Sequence, residues 1–108
     1  MDPATVLSTY ASAWTLTQRM LEAAQGEDWD VLIELGRERD VLFDQLVQAQ
    51  PAPPADPQQA SELALLIRRL LETEQQIQGL SRAWMDEING VLSSVQAEKK
   101  LLKAYDAF

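Results

Sequence analysis

Neither cysteine nor histidine occurs among the 108 residues. Their absence excludes disulfides, thiol chemistry, zinc fingers and any catalytic arrangement built on Ser-His-Asp or Cys-His. Glycine and proline are also few, at four and five, so the chain has little to punctuate it. No lysine precedes Lys99. The start, MDPATVLSTY, lacks the basic opening and unbroken apolar run of a signal peptide, and no stretch reaches the ~18 apolar residues that would span a bilayer. A cytoplasmic protein without membrane insertion is expected. At this length one domain spanning 1–108 suffices, burying roughly two thirds of the surface of its unfolded form.

Charge narrows the function further. Seventeen acids against nine bases give a net charge of −8, which disfavours direct nucleic-acid binding, whose affinity comes largely from neutralised phosphates. The charge is uneven: residues 1–56 hold ten acids against three arginines, and residues 57–108 seven acids against six bases. Neighbouring acids occur at Asp28/Asp30, Glu72/Glu74 and Asp86/Glu87. One or two residues apart on a helix, such groups point in different directions, and no calcium-type loop of oxygen ligands surrounds a glycine. No enzymatic activity, catalytic residue, metal ligand or cofactor is expected.

The remaining pattern is helical throughout and predicts an all-α fold. Asp2 followed by Pro3 forms an N-terminal cap signature, and apolar positions from Val6/Leu7 through Trp14 to Ala24 predict a helix over 3–25. Asp28 caps a second helix over 29–49, with two apolar rows, Trp29/Ile33/Phe43/Val47 and Val31/Leu35/Leu42. The like-charge pairs Glu34/Glu38 and Asp40/Asp44 on its outer side read as a solvated face. QAQPAPPADPQQ cannot continue a helix and marks a proline-rich loop over 50–57. Asp56, Pro57 and Gln59 then open a third helix over 57–95 in capping-box fashion. Trp14, Trp29 and Trp84 all fall in phase with the apolar stripes and are expected in the core.

The third helix outruns its partners. Extended to about Lys100 it would be on the order of 65 Å long, whereas helices of roughly 20 residues span about 30 Å. An antiparallel bundle of three to four helices therefore leaves part of it to be covered. It bends near Asn89-Gly90 so that a tail helix over 96–107 folds back, or it pairs with a second chain, or it leaves an apolar groove for another protein. In the tail, Leu101, Leu102, Tyr105 and Phe108 fall within an arc of about 120°, with Lys99, Lys100 and Lys103 opposite. A coiled-coil homodimer with no foreign partner is the structural alternative. Glu74, Ser81 and Gly90 would be poor residues in its seam.

LEAAQGEDWDVLIELGRERDVLF, the proline-bearing loop, LLETEQQIQGL and KKLLKAY stand in this order along nearly the whole chain. Gly26, Trp29-Asp30, Glu74-Gln75, Gly79 and Tyr105 occupy matching positions, and the chain thereby resembles the FliT family of flagellar export chaperones. Asp106 departs from the glycine common after the tail tyrosine.

The resemblance implies a cytoplasmic chaperone that binds the C-terminal segment of the filament-cap protein before export and interacts with the export ATPase complex. In some bacteria such proteins also bind the flagellar master transcription regulator, through protein contact and not DNA. It further implies a terminal helix that competes with partners. The expected groove lies between helices 2 and 3, on Val31, Leu35, Leu42, Leu63, Leu66, Leu70 and Ile77, and accepts an amphipathic helix. The regulatory tail is Leu101, Leu102, Tyr105 and Phe108, and the protein is expected to be a monomer or weak homodimer.

Burying those four tail side chains would contribute several kcal/mol before the entropy of ordering, a contact that a longer helix can displace. Truncation after Val95 is therefore expected to strengthen binding of the cap-protein segment in a titration, while Lys99→Ala changes little. Equal affinity before and after truncation would reduce the tail to a solubilising helix end.

Overall fold

The computed structural model describes the backbone of residues 1–106 and the side-chain surroundings of residues 1–90, 99 and 100. The fold is all-α, with three helices in the order α1 (Pro3–Gln25), α2 (Trp29–Ala49) and α3 (Pro57–Asp106). The chain divides into two compact units, Met1–Gln78 and Gly79–Phe108. The first holds α1, α2 and the first six turns of α3.

Each helix starts where a carboxylate can satisfy free backbone donors. Asp2 accepts the Thr5 N–H at 2.7 Å with Pro3 in the first turn, and Asp28 accepts the longer Val31 N–H bond at 3.4 Å. Asp56 accepts the Gln58 N–H at 3.1 Å ahead of α3. Between α1 and α2 the left-handed residue is Glu27 (φ 57°), while Gly26 keeps an ordinary φ of −85°. The reversal is closed by Asp28 N–H to Ala23 O at 2.8 Å and Glu27 N–H to Ala24 O at 3.2 Å. A side chain in this conformation costs roughly 1–2 kcal/mol, which the turn's hydrogen bonds offset. At the far end of α2, Gln50 (φ 44°) takes the left-handed capping position before the prolines.

Within Met1–Gln78 the helices run antiparallel in succession. Thr17 of α1 meets Arg39 of α2, and Arg39 meets Glu74 of α3. Val31 and Leu35, near the start of α2, share a cavity with Ala23 and Gly26 at the end of α1. Met20, Leu35 and Ile77, one from each helix, form the buried cluster, with Leu16, Leu21 and Leu32 packed around it. Burial of each such side chain contributes about 1.5–3 kcal/mol. Ala13, Ala23 and Ala24 are buried along α1. Gly36 faces Met20 Cε, which would stand 3.6 Å from an added Cβ. Trp14 and Trp29 are half-buried rather than fully enclosed.

Gly79–Phe108 continues α3. The sequence suggested a helix ending at 95 and a separate tail helix over 96–107, but α3 is one helix to Asp106. Gly90 keeps a negative φ and has open space around its Cα, so nothing there forces a turn. Its cost of about 1 kcal/mol relative to alanine falls on a stretch rich in Leu, Ala, Gln, Glu and Lys, which sustain a helix without proline. Trp84 and Ile88 are half-buried, and Leu80 and Met85 are exposed.

The Asp2 cap supplies a pH signature. Its hydrogen bonds from Thr5 hold the carboxyl below its ordinary value of 3.8, so the cap's contribution is complete above that value and is lost as pH falls through the lower, folded-state pKa. Helical circular dichroism at marginal denaturant should fall in this acid window, and Asp2→Asn, which keeps a capping oxygen without a titrating group, should remove that component. An identical acid transition in Asp2→Asn would show that the cap does not contribute.

Candidate partner-binding groove

Along α2 the positions Leu35, Arg39, Leu42 and Leu46 recur at helical spacing and point inward, so Arg39 occupies a core position. Its side chain is only 11% exposed. Nη1 donates to Glu74 Oε2 at 2.5 Å and to Thr17 Oγ1 at 3.1 Å, while the Thr17 hydroxyl donates to Ala13 O at 2.8 Å. The guanidinium carbon lies 5.3 Å from the centroid of Phe43, within range of a cation–π contact. Nε is buried without a hydrogen-bond partner among the described residues. Glu74, at 32% exposure, remains open to water.

Arg39, Phe43 and Glu74 of this cluster line an opening between α2 and α3. The cavity, ≈ 230 Å³, is lined by Arg39, Phe43, Leu70, Leu71 and Glu74. Leu71 is 61% exposed, and Val47, one turn along α2 from Phe43, is 71% exposed. Arg39 thus stands opposite Glu74 and Phe43 opposite Leu70 and Leu71, as an antiparallel register of α2 and α3 requires. A second cavity of ≈ 380 Å³ opens between α1 and α2. Its lining mixes Val31 and Leu35 with Arg19, Glu22 and Asp28, which suits water better than an apolar ligand.

The seven groove positions expected from sequence are distributed unevenly. Leu35, Leu70 and Ile77 are buried, Leu42, Leu63 and Leu66 are half-buried, and Val31 is 40% exposed at the α1/α2 cavity. Only Leu70 lines the α2/α3 cavity. Arg39, Phe43, Leu71 and Glu74 were not among the expected positions. Phe43 belongs to the other apolar row of α2, and an arginine in phase with three leucines was a readable signal. Leu71 has no periodic signature, standing beside Leu70 rather than beneath it. The tail side chains Leu101, Leu102, Tyr105 and Phe108 lie outside the described residues.

A family model described as "Flagellar protein FliT" matches residues 7–107. The chain belongs to the FliT family. A FliT relative, the "Flagellar protein FliT" of Enterobacter sp. (strain 638), is 25% identical over 107 residues, covering 96% of this chain and 86% of that protein. No solved structure matches. FliT proteins are flagellar export chaperones. Among the described residues of this FliT chain, no group of three acids could hold a metal ion, and no helix is long and apolar enough to cross a membrane.

The Arg39–Glu74 pair has an asymmetric energetic signature. Removing Glu74 alone leaves a largely buried guanidinium short of its counter-charge; Glu74→Ala should cost about 2 kcal/mol in urea unfolding, below the value for a fully buried pair because Glu74 is a third exposed. Replacing both residues by methionine should change stability by less than about 1 kcal/mol. Equal losses in the single and double variants would show that the charge pair is not the source.

Proposed function

We propose that this FliT-family protein is a cytoplasmic export chaperone that holds the C-terminal helical segment of the flagellar filament-cap protein in the groove between α2 and α3. Seated there, the segment is kept from premature assembly and presented for export. The observation that carries the reading is the opening lined by Phe43, Leu70 and Leu71, with Leu71 exposed there and Val47, one turn from Phe43 on α2, exposed as well. An amphipathic helix laid along it would cover these side chains together, the helix-in-groove mode of recognition.

The reading extends to two further protein partners, the export ATPase complex and the flagellar master transcription regulator. The net charge of −8 supports protein contact over DNA contact for the second. Leu101, Leu102, Tyr105 and Phe108 form the proposed regulatory element that competes with the incoming segment. Leu42, Leu63 and Leu66, half-buried on the same two helices, are proposed to extend the groove, while Leu35 and Ile77 belong to the buried cluster and Val31 lines the separate α1/α2 cavity.

Leu71 provides the test. Being 61% exposed, it can be changed with little effect on folding, whereas covering it on binding contributes about 1–2 kcal/mol. Leu71→Ala should therefore weaken binding of the cap-protein C-terminal segment by about tenfold by calorimetry, and Leu71→Asp should abolish co-elution in gel filtration. If the segment binds Leu71→Asp and Phe43→Ala as tightly as the native chain, the groove is not its site.

A further inference from the structure

We infer that the groove selects a helix carrying a carboxamide, Asn or Gln, in the middle of its apolar face, an inference that rests on the α2/α3 groove being the chaperone's binding site. The lining combines hydrocarbon and aromatic side chains, Phe43, Leu70 and Leu71, with the charged pair Arg39 and Glu74. Arg39 Nη1 is committed to Thr17 and Glu74. The Glu74 side chain, 32% exposed, still meets solvent. A helix lying in the groove displaces that water.

A carboxylate offers about four lone-pair positions, and an all-apolar helix fills none of those vacated by water. An unfilled acceptor at a desolvated site is costly, so a purely hydrocarbon face is disfavoured here despite matching the walls. A lysine would set a second positive charge beside the Arg39 guanidinium, and an acid would repel Glu74. A carboxamide brings N–H donors for Glu74 without altering the charge of the pair. Its place along the groove is fixed by the residue it must meet, as a single buried asparagine fixes register in a coiled coil. Arg39 and Glu74 are therefore specificity-determining residues as well as structural ones.

The experiment uses two fluorescent amphipathic peptides of about 20 residues, about 30 Å long as helices. They are identical except for a central Gln or Leu on the apolar face and are titrated by anisotropy against the full chain. The native protein should bind the Gln peptide about tenfold more tightly, and R39M/E74M should reverse the order. A native protein that ranks the two equally, or prefers Leu, overturns the inference. This ranking decides it even if the double variant does not fold.

Leu71→Asp separates the two readings. If it weakens both peptides while the native ranking is flat, the groove stands and its polar selectivity falls. If neither peptide responds to it, the groove reading falls and the inference with it.

Discussion

One guanidinium joins all three helices of the first unit. Arg39 reaches Thr17 on α1 and Glu74 on α3 from a core position on α2, and its carbon stands over the Phe43 ring. A largely buried ion pair contributes modestly to net stability, because desolvation cancels much of its attraction, but it is strict about alignment. Sliding α3 by one residue along α2 would break the bond to Glu74 and bury a charge without its partner. The register that places Leu70 and Leu71 beside Phe43 thus follows from the same atoms that hold the bundle.

Burial and exposure divide the apolar residues between cohesion and recognition. Met20, Leu35, Leu46, Leu70 and Ile77 are enclosed, while Val41, Val47, Leu65 and Leu71 stand open. Of these exposed residues Leu71 lines the α2/α3 opening, where an apolar face of another chain could cover it. Membership in the FliT family supplies the biological setting for that physical arrangement.

Much of this was legible in the sequence, for identifiable reasons. Asp2, Asp28 and the proline loop set the first two helices at Pro3–Gln25 and Trp29–Ala49, the bounds that local capping chemistry predicts. The burial of Leu35, Leu70 and Ile77 follows from helical period. The unbroken course of α3 was harder to read, because one glycine's cost had to be weighed against sixteen residues of helix-favouring sequence. The groove lining was harder still. Leu70 and Leu71 are chemically alike, and which of them stands open depends on where α2 lies across α3, a tertiary fact with no local signature. Arg39 was the missed opportunity, since a charge in phase with an apolar stripe requires a partner from elsewhere in the fold.

The open apolar row also bears on how copies of the protein coexist at high concentration. Asp40 and Asp44 are exposed on α2, the helix that bears Phe43 and Val47. Their mutual repulsion slightly weakens the isolated helix, yet their position makes them gatekeepers against clustering. Two copies approaching through their sticky faces would bring four such carboxylates together, within a unit already strongly anionic. Colloidal repulsion thus discourages self-capture while leaving the surface open to partners of different charge.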